Sequence, residues 1–131
     1  MDNKLDKILA EISAGELIDK ITILEIKKLK ITNKDKLIDI EKELFSLNRT
    51  LNEFIPNETN IEEFKKELKK INLKLWDIED GKRYAEKNND FGKKFIELAR
   101  NVYKFNDERA KIKLAINNAL GSNIKEVKSY E

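Results

Sequence analysis

The sequence contains no cysteine and no histidine, and it has only one proline and four glycines among its 131 residues. Without cysteine the chain has no disulfide framework, no thiolate nucleophile and no cysteine-based metal site. Without histidine it lacks the commonest general base and the commonest metal ligand. Any chemistry must therefore come from Asp, Glu, Lys, Arg, Tyr, Ser or Thr, and we predict neither a cofactor nor a bound metal.

An excess of charge of one sign is also missing, because 27 basic residues face 25 acidic ones and the formal net charge is +2. Domains that bind nucleic acid typically carry a clustered basic face, so we predict no nucleic-acid partner. No uncharged apolar run approaches the roughly 20 residues of a membrane span. The first residues lead into charge rather than into an apolar signal sequence. We expect a soluble, cytoplasmic protein.

The chain length and its hydrophobic fraction of 40% predict one folded domain over residues 1–131. Apolar residues recur at alternating spacings of three and four, which is the pattern of one helix face. Such seams run over residues 37–54, 61–78 and 91–119, and only Arg109 interrupts the third. Three seams predict an all-α fold, an antiparallel bundle of three to four long helices packed side by side.

Capping signals divide the chain into four predicted helices. The first covers about residues 14–31 after a capping box at Ser13–Glu16, and the second runs from a cap signal at 32–35 to about residue 55. The third starts near Asn60 in a capping box at Thr59–Glu62 and fades around residues 87–89. The fourth is capped by Asp90 and runs to about Leu120, where Gly121 is a left-handed terminator. The first two helices form either a second hairpin or one kinked rod. A short strand at either end, in residues 1–12 or 124–130, is an alternative.

Two isoleucines of the first helix, Ile23 and Ile26, point away from its main apolar arc and would lie near solvent in a monomer. Together with Trp76 they would form a contiguous apolar patch. Patches of that kind mark contacts with other proteins. We therefore expect a homodimer or another protein partner.

Arg109 carries a charge on an apolar stripe, and Glu25 stands in the same way inside the apolar arc of the first helix. Two buried charges of opposite sign cost far less free energy together than apart, so we predict a buried Glu25–Arg109 ion pair. One alternative is an Arg109 side chain that reaches solvent from the edge of the seam. Another is a polar pocket at Arg109 that holds an anionic ligand; Asn106 and Asp107 are its neighbours in the sequence.

A second candidate site lies in residues 75–83, where Trp76, Asp77, Asp80 and Arg83 are concentrated. Asp77 and Asp80 stand one helical turn apart and could share a divalent cation through hard oxygen ligands. The ordinary alternative is a solvated, charged face. We prefer that alternative and predict no metal site.

Three stretches, residues 15–27, 75–80 and 90–110, together with the end at 128–131, carry a resemblance that covers nearly the whole chain. The chain resembles a family of small bacterial proteins of unknown function that is associated with surface-polysaccharide gene neighbourhoods. The resemblance implies a complete single domain and brings no catalytic residues. It adds weight to the candidate residues inside those stretches, which are Glu25, Trp76, Asp77, Asp80, Asn106, Asp107 and Arg109.

From this pattern we expect a non-enzymatic interaction or scaffold protein that self-associates, and the resemblance implies an accessory role in cell-surface glycan synthesis. The alternative is a binding protein or enzyme for a small anionic metabolite such as a sugar phosphate or a nucleotide, with a site built on Arg109, Arg83, Asp77 and Asp80. A cavity open to solvent beside Arg109 would favour the alternative, whereas a dry, fully paired Glu25–Arg109 contact would favour the scaffold. The candidate residues for a ligand site or a buried polar network are Glu25, Arg109, Asn106, Asp107, Trp76, Asp77, Asp80 and Arg83.

Overall fold

The computed structural model describes residues 4–56 and 60–128, which form four α-helices and, within those two ranges, no strand. The helices are α1 (Ala14–Lys30), α2 (Lys34–Phe54), α3 (Ile61–Lys87) and α4 (Lys93–Leu120). The predicted all-α fold is confirmed, with four helices rather than three rods. The suggested terminal strands are absent from 4–13 and 121–128, and residues 1–3 and 129–131 lie outside the described part. No described helix combines the length and the apolar composition of a membrane span.

Local signals place most helix ends close to where the sequence predicts them. The Ser13 hydroxyl accepts a hydrogen bond from the Glu16 amide at 3.1 Å, and Asn33 caps α2 in the same way. Gly121 ends α4 in the left-handed conformation at φ +64°. The second half of the predicted capping box at Ser13 does not form, because the Glu16 carboxylate accepts a hydrogen bond from Lys113 instead.

The other two predicted caps differ from the structure. Asp90 accepts a hydrogen bond from the amide of Gly92, which is the residue that stands at the start of α4, so the helix begins later than predicted. Asn60 precedes α3 without a capping bond from its side chain. Thr59, the first residue of the predicted third capping box, lies outside the described residues.

The four helices form two antiparallel hairpins, α1–α2 and α3–α4, and α1 is the central element because it also packs against the α3–α4 hairpin. In the α3–α4 hairpin, Gly81 lies against Leu98 and the Lys74 ammonium stands 5.0 Å above the ring of Phe105. In the α1–α2 hairpin, Lys28 and Glu41 approach to 3.8 Å near the connection. Helix α1 packs against all three other helices, whereas α2 packs against α1 alone among the helices.

The hydrophobic core joins one residue from each of three helices: Ile18 of α1, Leu68 of α3 and Ile116 of α4. These three side chains are almost completely buried. Partly buried residues from all four helices surround them, namely Ala14, Leu51, Ile55, Ile61, Phe64, Ile112 and Leu120. This apolar cluster therefore lies at the end of the bundle where α1 starts and α4 ends.

The first turn of α1 lies unusually close to α4. A Cβ atom on Gly15 would stand 2.5 Å from the Lys113 carbonyl oxygen, so no other residue fits there without a backbone shift. The Gly15 amide donates to Asn117 Oδ1 at 2.6 Å, and the Ala14 amide donates to the Ser122 hydroxyl at 3.1 Å. Side chains at the end of α4 thus satisfy amides that a helix start leaves without partners.

The expectation that Ile26 lies near solvent is wrong, because its side chain is 1% exposed in the single chain. Ile23 and Trp76 are half-buried. With three neighbouring helices, α1 has little free circumference, and residues that point away from one partner meet another. The apolar patch that suggested a homodimer is therefore largely covered within one molecule, and self-association itself stays a prediction.

Gly15→Ala should destabilise the fold by about 3 kcal/mol, at the upper end of the usual cost of overpacking, because the new methyl group meets backbone rather than a movable side chain. The measurement is chemical denaturation followed by circular dichroism. Gly81→Ala is the matched control: its Cβ would lie 3.2 Å from a methyl of Leu98, which can rotate away. A helical Gly-to-Ala change also gains up to about 1 kcal/mol of helix propensity. Equal stability losses in the two variants would contradict the close approach.

Candidate functional site

The carboxylate of Asp19 is fully buried where α1, α3 and α4 meet. Arg109 Nε donates to its two oxygens at 3.0 and 3.1 Å, and Arg109 Nη2 donates to Oδ2 as well. Asn72 Nδ2 donates to Oδ1 at 2.9 Å, and Lys113 Nζ lies 3.6 Å from Oδ2. Groups from two helices, α3 and α4, therefore surround one negative charge on α1.

Thr22 holds the Asn72 amide in place beside that carboxylate. Asn72 Nδ2 donates to Thr22 Oγ1 at 2.9 Å, and Thr22 Oγ1 donates to the Asp19 carbonyl oxygen at 2.7 Å. Since Thr22 follows Asp19 by three residues, both side chains lie on the same face of α1. The amide of Asn72 is thereby oriented with its nitrogen toward Asp19 and Thr22.

Lys113 links this cluster to the C-terminal residues. Its ammonium contacts Glu16 Oε2 at 2.6 Å and Glu126 Oε2 at 3.1 Å, while the side chain is only 9% exposed. Three carboxylates, those of Glu16, Asp19 and Glu126, thus share one buried ammonium. A buried lysine surrounded in this way keeps its charge without an uncompensated desolvation penalty.

The surroundings shift the pKa of Asp19, Arg109 and Lys113 in the direction that favours the charged form of each group. Burial raises the pKa of Asp19, but hydrogen bonds from Arg109 and Asn72 and the positive charges of Arg109 and Lys113 outweigh burial and hold it below its usual value. The hydrogen bond with Asp19 raises the pKa of Arg109. Burial lowers the pKa of Lys113, yet hydrogen bonds to Glu16 and Glu126 raise it overall. All three groups are therefore charged near neutral pH.

The predicted Glu25–Arg109 pair is wrong, because Arg109 binds Asp19 and Glu25 binds two lysines of α3. Glu25 lies 3.2 Å from Lys65 and 3.5 Å from Lys69. Six residues separate Asp19 from Glu25, which at roughly 100° per residue turns their side chains about 120° apart around α1. Both acids lie within the broad apolar arc, but only Asp19 faces α4.

A groove of about 450 Å³ opens beside this cluster, between α1, α3 and α4. Its volume lies within the range of small-molecule pockets. The lining residues are apolar toward α1 and the middle of α3, and they become polar toward the end of α3 and on α4. They are Ile23, Ile26, Asn72, Leu75, Trp76, Glu79, Asp80, Arg83, Asn106 and Arg109.

Arg109 belongs both to the buried cluster and to the wall of the groove. Its Nε and Nη2 are engaged by Asp19, and its Nη1 lies 3.5 Å from Asn106 Oδ1, a long hydrogen bond. The side chain is 28% exposed, whereas that of Asp19 is not exposed at all. The arrangement presents a guanidinium of fixed orientation to the groove, with one nitrogen only weakly engaged.

The structure brings together Trp76, Asp80, Arg83, Asn106 and Arg109, five of the predicted candidates, around this one groove. The other three, Glu25, Asp77 and Asp107, do not line it.

Asp107 lies instead in a second cleft of about 520 Å³, between α4 and residues 125–128. Asp77 is exposed. In residues 4–56 and 60–128, no group of three or more Asp or Glu side chains could hold a metal ion.

Sequence reasoning missed Asp19, Asn72 and Lys113, although a signal for Asp19 was present. Asp19 follows Ile18 and precedes Ile21, so it interrupts the most apolar part of α1. Asp19 also stands three residues after Glu16, an E-x-x-D spacing that occurs in metal-binding carboxylate motifs. Here the match to such motifs is near chance, and the spacing gives no sign that Asp19 is buried. Asn72 and Lys113 stand next to core residues of their seams, where polar residues are common at a helix edge, and no local pattern distinguishes them.

Comparison with known proteins adds a family but no activity. A model described as a family of unknown function, DUF6165, matches residues 8–131. Neither a curated protein nor a solved structure matches the chain.

Arg109→Ala should destabilise the protein by about 3 kcal/mol, the lower end of the range for breaking a buried pair, because Asn72 and Lys113 still stabilise Asp19. A double-mutant cycle with Asp19→Ala, read by chemical denaturation, should give a coupling free energy above about 1 kcal/mol. In the matched cycle with Glu25→Ala, the two effects should add within about 0.5 kcal/mol. Strong coupling of Arg109 to Glu25 would restore the original ion-pair prediction.

Asp19 should also give the fold a specific acid sensitivity. Because its pKa is lowered in the folded state, the unfolded chain binds more protons below the usual Asp pKa of about 3.9, and stability rises with pH there. The contribution is fully present above that value and is lost as pH falls through the lowered folded pKa.

The measurement is the free energy of unfolding between about pH 6 and pH 2. The advantage of the wild type over Asp19→Asn should shrink toward acid, while Asp77→Asn removes an exposed carboxylate as the control. A constant difference between wild type and Asp19→Asn would contradict the prediction.

Proposed function

The chain belongs to the DUF6165 family, which brings no activity with it, and we propose that it binds a small anionic molecule in the groove beside Arg109. The observation that carries the proposal is a partly exposed guanidinium, fixed by a buried carboxylate, in the wall of a groove open to solvent. A cavity of this kind was the expected mark of a binding protein. It favours that function over a pure scaffold.

Arg109 would bind the anionic group of the ligand. Asp19 holds two of the guanidinium nitrogens, so the third is oriented before a ligand arrives and little side-chain freedom is lost on binding. Asn106 and Asn72 place amide groups at the same end of the groove. Charge-assisted hydrogen bonds from arginine to carboxylate or phosphate are among the stronger contacts available in proteins.

Trp76 would bind the body of the ligand. The indole, together with Ile23, Ile26 and Leu75, gives the groove an apolar side that suits a planar or ring-shaped group. Pockets that combine an apolar lining with a few oriented polar groups are typical of small-molecule sites. A ligand that is only an inorganic anion would leave this apolar side unused.

The outer end of the groove supplies hydrogen-bond acceptors and a second cation. Glu79, Asp80 and Arg83 follow Trp76 along α3, and Asn72 to Arg83 spans about 16 Å at 1.5 Å per residue. Carboxylates at that end suit hydroxyl or amino groups of a ligand. A sugar phosphate or a nucleotide has the required anion, ring and hydroxyl groups.

The resemblance to bacterial proteins from surface-polysaccharide gene neighbourhoods supports testing sugar phosphates first. In that setting the protein would be a cytoplasmic accessory of cell-surface glycan synthesis. We propose binding without catalysis, because the most buried acid, Asp19, is fully engaged by Arg109, Asn72 and Lys113 and is not exposed to the groove.

Trp76 makes the proposal directly testable, since it is the single tryptophan of the chain and its fluorescence reports on the groove alone. Titration with sugar phosphates and nucleotides should change its emission and saturate. The same ligands should raise the thermal midpoint, because they bind only the folded state.

Arg83→Gln should weaken binding about tenfold while leaving the fold intact, because Arg83 is exposed. Arg100→Gln, which removes an exposed arginine outside the groove, is the matched control. The uncharged parent sugars or nucleosides should bind much more weakly than their phosphates. Saturable binding that both arginine variants retain unchanged would contradict an anion site in this groove, as would the absence of any emission change across the series.

A further inference from the structure

Residues 4–12, here called the N-terminal arm, have the sequence pattern of an amphipathic helix but do not form one. Leu5, Ile8, Leu9 and Ile12 recur at the spacing of one helix face. In the structure the arm has no regular secondary structure, and Leu5, Ile8 and Leu9 are more than 80% exposed. Three of these four large apolar side chains thus have little cover within the described part of the molecule, and Ile12 is partly covered.

Helix α4 carries a row of residues that α1 covers only in part, and the end that α1 leaves uncovered is apolar. The row recurs at spacings of three and four and consists of Ile96, Ala99, Tyr103, Asn106, Ala110, Lys113 and Asn117. Its C-terminal half lies against α1, where Asn117 binds Gly15 and Lys113 binds Glu16. Its N-terminal half, Ile96, Ala99 and Tyr103, is exposed. We call these three residues the open row.

The arm of a molecule cannot reach its own open row as a helix. The arm joins α1 at Ser13, and α1 begins beside Asn117 at the far end of α4. From Asn117 the open row is 14 to 21 residues distant, about 21–32 Å along the helix, whereas nine helical arm residues span only about 13 Å. As a helix, the arm can therefore meet an open row only in a second molecule.

We propose that the N-terminal arm of one copy folds into a helix on the open row of a second copy, and that the exchange is reciprocal. The outer anchors Leu5 and Ile12 are seven residues apart, as are Ile96 and Tyr103, so the two apolar surfaces match in length. A helix this short is not stable alone, which accounts for its absence in the single chain. Apolar anchors at such spacings are the usual way in which a helix binds a groove. Two identical contacts related by a twofold axis close the dimer.

The test is the mass of the full-length chain by light scattering and sedimentation over a range of concentrations. The wild type should reach twice 15.4 kDa, and its helical signal should rise with concentration as the arms fold. Leu9→Asp in the arm and Tyr103→Asp in the open row should each weaken dimerisation at least about tenfold. Both positions are exposed, so circular dichroism should show folded monomers.

Ile38→Asp, at an exposed isoleucine of α2, is the matched control and should leave the dimer unchanged. A mixture of Leu9→Asp and Tyr103→Asp chains retains one intact arm and one intact open row, so labelled chains should form heterodimers more readily than either variant self-associates. A monomer at all concentrations, a dimer lost only in Ile38→Asp, or a dimer unaffected by the arm and row variants would each overturn the proposal. Ligand binding in the groove is measured by Trp76 emission. Its result is therefore independent of the mass measurement that tests the dimer.

Discussion

The buried carboxylate of Asp19 fixes how three of the four helices meet. An isolated charge in that position would be far too costly to bury, so its partners must be in place whenever the fold is complete. Those partners come from different helices: Asn72 from α3, and Arg109 and Lys113 from α4. A slip of α4 by a single residue would move both cations, Arg109 and Lys113, away from the buried charge. The contact therefore specifies register, a role that apolar side chains of the core fill less strictly.

The same contact connects structure to the proposed binding site. Gly15 and Asp19 hold the first half of α1 against α4 through backbone proximity and charge, while Glu25 ties the second half to lysines of α3. The groove opens beside this second half, where Ile23 and Ile26 face α3 and α4 residues across it. Arg109 is partly exposed there because Asp19 positions it at the edge of the core. A residue needed for folding is thus also the best candidate for ligand recognition.

The sequence predicts helices well and their partners poorly, and the individual errors show why. Seams and caps are local, so Ser13, Asn33 and Gly121 mark helix ends correctly. A seam shows that a side chain faces inward but not which helix it meets. For that reason the predicted partner of Arg109 was the wrong acid, and Ile26 was expected near solvent. Groove residues of α3 and α4 were found because unusual residue types concentrate in short stretches, whereas Asn72 has no such signal. Its role depends entirely on tertiary contacts.

The N-terminal arm shows that a helical apolar pattern does not by itself produce a helix. Its apolar spacing is as regular as that of the four helices, yet residues 4–12 are not helical. Apolar periodicity shows that a segment would have an apolar face if it were helical. A short segment forms a stable helix only when that face packs against an apolar surface. Helix α1 packs against three other helices of its own molecule, whereas the arm cannot reach the open row of its own molecule as a helix. On α4, the row that α1 covers at one end continues uncovered as Ile96, Ala99 and Tyr103. Two incomplete surfaces of matching length in one chain are best explained if a second copy completes both.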